Sequence, residues 1–166
     1  WPDHPFCFRL PYQQLNGTDT EHVNYIRTPA GIKDTVCTLL ADLDDNEWIY
    51  WCIDDKYPVF LDTKVKKIAQ WIHEITDITI SGILFSRPEK LYQKGTLNKD
   101  SITSLAGIKL RGRTGYDAIW NHQFLRVKVI RHLFNNFSSP INCAKDMDPL
   151  KRNVTLPPTH RLFVTK

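Results

Sequence analysis

Two aspartates stand side by side at Asp54 and Asp55, directly after the apolar run Glu47 to Ile53, EWIYWCI. Neighbouring carboxylates repel, and each disfavours the other's charge unless a cation neutralises both. Mg²⁺ and Mn²⁺ suit that task, because they take oxygen ligands and are commonly held by one or two carboxylates plus substrate phosphates. The other reading of Asp54-Asp55-Lys56-Tyr57-Pro58 is a polar turn ahead of a proline.

The elements that must position these aspartates follow from periodicity. His22 to Arg27 alternates apolar and polar residues and predicts a short strand. Thr28-Pro29-Ala30-Gly31 breaks it. Ile32, Val36, Leu39, Leu40 and Leu43 fall at helical spacing and predict an amphipathic helix from Ile32 to Leu43. Glu47 to Ile53 is dense in aromatic and β-branched residues, as a central strand buried on both faces would be. Asp62 or Thr63 can cap a helix whose stripe is Val65, Ile68, Ile72 and Ile75. Ile78 to Phe85 predicts a second buried strand, residues 86 to 106 a loop, and Ile108 to Arg113 a short strand. A last helix is expected from Asn121 to Asn136, with Phe124, Leu125, Val129, Leu133 and Phe134 inward. Residues 1 to 21 and the proline-containing tail from Ser138 read as irregular. The alternation predicts an α/β domain with a mostly parallel central sheet flanked by helices. Ligands bind such sheets beyond the carboxyl ends of the strands, where Asp54 and Asp55 fall.

The segment WIYWCIDDKYPVF resembles the acidic metal-binding motif of glycosyltransferases with the GT-A fold, in which an apolar strand ends in acidic residues. The leucine-rich helix ahead of it fits the same pattern. Gly115 to Leu125, GYDAIWNHQFL, is similar to a segment of bacterial polysaccharide and viral glycosyltransferases in which an Ile-Trp pair opens a helix beside the acceptor. The resemblance covers roughly residues 22 to 137. The acidic motif here is Ile53-Asp54-Asp55, not Asp-x-Asp.

The resemblance implies transfer of a hexosyl or deoxyhexosyl group from a UDP- or GDP-type nucleotide sugar to a hydroxyl of a glycan or glycoprotein. It implies Mn²⁺ or Mg²⁺ on Asp55, with Asp54 on the ribose or a metal-bound water. It also implies a first βα unit gripping the base, either missing before Trp1 or disguised within residues 1 to 21. Arg27 and Lys33 flank the loop after the first visible strand and would steady a diphosphate. Their other reading is an exposed helix start, where Asp34 favours the helix dipole. Asp117 would be the general base for the acceptor hydroxyl, and His122 a metal or phosphate ligand. The other reading of Asp117, and the favoured one, is an N-terminal helix residue. Trp120 would stack on a sugar ring or lie in the core, and Arg111 and Arg113 would touch phosphates or lie on a solvated loop.

Composition bounds the remaining classes. A length of 166 residues with 42% hydrophobic content suits a single domain spanning 1–166. No apolar run approaches the ~20 residues that span a bilayer. Cys7, Cys37, Cys52 and Cys143 are scattered without zinc-ligand spacing, which favours a reducing, cytoplasmic setting. In that setting the Asn-x-Ser/Thr triplets at Asn16, Asn136 and Asn153 are chance. The net charge of +4 is concentrated in the second half, so a nucleic-acid-binding module is an alternative, and a metal-dependent phosphohydrolase using Asp54-Asp55 is another. Against the first, the aromatics lie in apolar runs expected to be buried, so no nucleic-acid partner is expected.

Overall fold

Every residue of Ile80–Leu84 is buried, and its neighbours explain why. It pairs antiparallel with Gln123–Arg126 on one side and parallel with Arg161–Thr165 on the other. A strand so enclosed needs a run with hardly a polar side chain.

The computed structural model describes residues 6–14, 17–52, 63–85, 95, 97–103, 107–137 and 141–165. In chain order the strands are β1 (Phe8–Tyr12), β2 (Val23–Arg27), β3 (Trp48–Trp51), β4 (Ile80–Leu84), β5 (Leu97–Thr103), β6 (Lys109–Arg113), β7 (Gln123–Arg126) and β8 (Arg161–Thr165). The helices are α1 (Ile32–Leu39), α2 (Thr63–Trp71), α3 (Val127–Asn135) and α4 (Ala144–Leu150), and single 3-10 turns follow α2 and α4 at Ile72–Glu74 and Lys151–Asn153. One six-stranded sheet has the order β3-β7-β4-β8-β6-β5, while β1 and β2 form a separate parallel pair.

The two faces of the large sheet can be read from alternation along each strand. Ile49, Trp51, Leu125 and Leu162 pack into a cluster with α1, α3 and Met147 of α4. Their chain neighbours Trp48, Tyr50, Phe124 and Phe163 pack into a second cluster with Ile68, Ala69, Trp71 and Ile72 from α2 and the turn after it. The result is a sheet between helical layers, a mixed α/β fold.

The sheet is not mostly parallel as expected. Only β4–β8 is parallel, and β3–β7, β7–β4, β8–β6 and β6–β5 are antiparallel. The cause lies in two segments whose pattern misleads. Gln123–Arg126 was expected to open a helix, but it is a strand whose Phe124 and Leu125 face opposite clusters. The helix starts only at Val127, where Arg126 is still extended (φ −74°, ψ 145°). The first amides of α3 are satisfied from outside, Val127 N–H by the Glu47 carbonyl at 3.0 Å and Lys128 N–H by that of Asp45 at 2.9 Å, so no side-chain cap marks the start. The tail, expected to be irregular, supplies α4 and the inner strand β8.

Other boundaries shift for local reasons. α1 ends at Leu39, not Leu43, because the chain tightens: Ala41 N–H bonds the Thr38 carbonyl and Leu43 N–H that of Leu40. β3 is half-buried throughout and is an edge strand among the described residues, not a central one. Its aromatics cover both faces, which imitates the pattern of a central strand. Residues 97–103 form β5 inside the expected loop, and β1 lies in the N-terminal stretch expected to be irregular. α2 keeps its stripe, with Val65, Ile68 and Ile72 buried and Ile75 partly so. No helix of the described residues is long and apolar enough to cross a membrane.

Candidate functional site

The C-terminal end of β3 is fastened to the loop between β6 and β7, residues 114 to 122. Trp51 pairs with Gln123, and its indole N–H donates to the Ile119 carbonyl at 2.7 Å. The Tyr50 hydroxyl lies 2.9 Å from Nδ1 of His122. Burial pushes that hydroxyl up to about 12, with Cys52 adding to the effect, so it stays protonated at neutral pH. Gln123 organises the loop from beneath: its amide N–H₂ donates to the carbonyls of Ala118, Ile119 and Asn121, each at 3.1 Å. The Gln123 carbonyl oxygen accepts from Nη2 of Arg113. Three carbonyls of the turn are thus pinned by one buried amide.

On the side of α3 and α4, the same loop meets the α4 end and the segment after it. A cleft of about 710 Å³ runs between Thr114–Asp117 and Lys151–Leu156, and a second of about 510 Å³ lies between Asp117–Asn121 and Asp148–Arg152. Asp117, Lys151 and Arg152 border both. Arg152 Nε–H donates to Asp117 Oδ1 at 3.0 Å. Lys151, only 5% exposed, donates to Asp148 Oδ1 at 2.7 Å, and the Trp120 indole N–H donates to the same oxygen at 2.8 Å. The Lys151 ammonium also sits 5.9 Å from the Trp120 ring centre. The bond from Lys151, helped by that from Trp120 and by nearby cations, holds the Asp148 carboxyl below its ordinary value.

The wall behind the larger cleft carries an unusual buried charge. Arg113 is 3% exposed; burial pushes its guanidinium down to about 10, against the opposing pull of Tyr116 and Asp117. Among the described residues its Nε and Nη1 have no hydrogen-bond partner, and neither has the hydroxyl of Tyr116, itself 2% exposed.

The expected site residues thus separate. Asp117 and Trp120 share the clefts. His122 is held toward Tyr50, on the side of the sheet that packs against α2. Lys33 Nζ donates to the Phe137 carbonyl at 2.9 Å and ties α1 to the end of α3, and Arg27 is exposed at the end of β2; neither faces the clefts. Arg113 is a buried strand residue, not part of a solvated loop. Asp54 and Asp55 lie outside the described residues. Among the described residues no group of three His, Cys, Asp or Glu could hold a metal ion.

Asp148, Lys151 and Tyr116 were not singled out as site residues from sequence. The i,i+3 spacing of Asp148 and Lys151 was a legible signal for a helical ion pair, whereas nothing in the sequence places Tyr116 beside Arg113. Comparison with family models, with curated proteins and with solved structures finds no match.

Proposed function

We propose that the chain is a metal-dependent glycosyltransferase of GT-A type, moving a sugar from a UDP- or GDP-type donor to a hydroxyl of a glycan or glycoprotein. One observation carries this reading. The two segments that resemble the family, the end of the β3 run and Gly115 to Leu125, are bonded to each other through Trp51–Ile119 and Tyr50–His122. Asp54 follows Trp51 by three residues, a chain length that reaches at most about 11 Å. The antiparallel sheet gives the reading no support, and it rests on the meeting of these two segments.

A divalent ion, when bound, supplies positive charge against the departing diphosphate. The chain's own residues orient and move protons. Asp117 offers its Oδ2, which has no partner among the described residues, to an acceptor hydroxyl, while Arg152 fixes the carboxylate through Oδ1. The Tyr50 hydroxyl, 2.9 Å from Nδ1, orients the His122 ring at the end of the β3 run. Trp120, locked by Asp148, walls the acceptor side. The cations of the second half favour this reading over nucleic-acid binding, because Arg126, Lys128, Arg131 and Arg161 are engaged with carbonyls and carboxylates of the chain itself.

The test is a thermal-shift screen of nucleoside diphosphates and nucleotide sugars, with and without Mn²⁺, on the wild type and Asp55→Ala. A ligand at a hundredfold excess over its Kd adds about 2.7 kcal/mol. A Mn²⁺-dependent shift with one nucleotide family, lost in Asp55→Ala, supports the reading. No shift with any nucleotide, or an undiminished shift in Asp55→Ala, sinks it.

A further inference from the structure

Arg113 and Tyr116 present an unsolved problem of charge. A buried guanidinium has five N–H donors and no acceptor, and here, among the described residues, only Nη2 has a partner, the Gln123 side-chain oxygen. Nε and Nη1 of Arg113 and the hydroxyl of Tyr116 are buried and meet no partner among the described residues. Such groups are costly inside a protein and call for a missing partner. The carboxylate that acts on Arg113 is Asp117, but its Oδ1 accepts from Arg152 instead.

The surroundings set the sign of that partner. Tyr116 lines the larger cleft directly, and Arg113 is one residue from Thr114 at its wall. Three cations, Arg113, Lys151 and Arg152, gather here against two carboxylates, Asp117 and Asp148. The exposed rim cation is Arg152, whose side chain is 64% accessible. Buried donors beside one cleft, with one cation in excess, suit a group that only accepts.

We infer that the cleft between Thr114–Asp117 and Lys151–Leu156 binds a small anionic group, a carboxylate or a phosphate, held by Arg113 and the Tyr116 hydroxyl within and by Arg152 at the rim. At about 710 Å³ the cleft has room for a molecule of sugar size around that group. This assignment goes beyond the nucleotide-donor reading of Asp54 and Asp55 and does not rest on it.

The experiment titrates the full chain with inorganic phosphate and, separately, with glucuronate, at ionic strength held constant with NaCl, by calorimetry. The assignment expects saturable binding of at least one of them, weakened roughly tenfold, the loss of one hydrogen bond to a charged group, in Tyr116→Phe and in Arg152→Gln. Tyr116→Phe keeps its ring in the core and Arg152 is exposed, so both variants are expected to fold, which circular dichroism checks. Binding of phosphate alone assigns a phosphate ligand, and binding of glucuronate alone a carboxylate. Absence of saturable binding for both overturns the assignment, a buried water then serving the orphaned donors. Binding that survives both substitutions also overturns it, as does loss in Asp55→Ala with retention in the two cleft variants, which would move the anion to the donor site. Failure of the nucleotide screen with retained anion binding leaves this site standing while the donor reading falls.

Discussion

Arg126 commits its whole guanidinium to backbone carbonyls. Nε donates to Ile80 at 2.9 Å, Nη2 to Ile75 at 3.1 Å and Nη1 to Asn46, and the group lies 4.5 Å from the Trp48 ring. Three separate segments are stapled by one side chain, and Arg126→Met leaves three carbonyls short of a donor. We expect a loss of about 2–4 kcal/mol in urea unfolding; a loss under about 1 kcal/mol means that water replaces the donors. Gly82 makes the opposite point, since an added Cβ would lie 2.6 Å from both Leu125 Cδ2 and Leu162 Cδ2. Gly82→Ala should cost about 1–3 kcal/mol by overpacking, read in the same assay.

His160 sets a pH dependence. It is 8% exposed and lies 5.5 Å, ring centre to ring centre, from His132. Burial, with repulsion from His132 and Lys128, brings it down to about 4 from 6.5. The unfolded chain therefore takes up a proton near pH 6.5 that the folded chain refuses until about pH 4, so stability falls as the pH drops through that window and is untouched above it. His160→Gln should flatten the curve between pH 6.5 and 4; an unchanged slope rejects the assignment. The sequence held no sign of this pair, because residues 132 and 160 meet only through the fold.

At the scale of elements, the end of α1 is fixed from another helix. Arg131 of α3 donates through Nη2 to the Leu43 carbonyl at 2.7 Å and to that of Leu40, and its Nη1 pairs with Asp45. These carbonyls belong to the tightened turn that follows α1. Arg131→Ala should cost about 1–3 kcal/mol and raise amide exchange across residues 40–47 while β4 stays protected. Exchange raised evenly over the whole molecule would show instead that α1 has no separate opening.

Elements were legible where one periodicity dominated. α1, α2, β2, β4 and β6 follow from spacing alone, and in α2 and β4 the expected apolar positions are the buried ones. β7 was not, because Phe124 and Leu125 continue without a break into Val127, Val129, Ile130 and Leu133 of α3, and the carbonyls that start α3 come from Asp45 and Glu47. β3 looked central because its aromatics fill both faces. At the site, Asp117 and Trp120 stand out in the sequence through the Gly115–Leu125 resemblance, whereas Arg113 and Lys151 are cations whose burial only the tertiary structure creates.

For the whole molecule, the decisive strand is the last described. β8 lies between β4 and β6, pairing parallel with one and antiparallel with the other, and buries Leu162, Phe163 and Val164. A chain ending at Pro158 leaves both neighbours with open edges and splits β6–β5 from the rest of the sheet. We expect that truncation to lose cooperative unfolding altogether, visible as absence of a thermal transition, and a retained transition would mean that the two parts are stable separately.

The placement of β8 also fixes when the protein can fold during its own synthesis. A ribosome adding about 5–20 residues per second delivers β4 nearly eighty residues ahead of its parallel partner. Through those seconds the β4 and β6 edges have nothing between them, the condition in which nascent chains pair with one another or are held by chaperones. Final assembly of the sheet is therefore set by the arrival of Arg161–Thr165 rather than by the order in which the helices form, and sequence changes that slow translation just before residue 160 would prolong the dangerous interval without altering a single native contact.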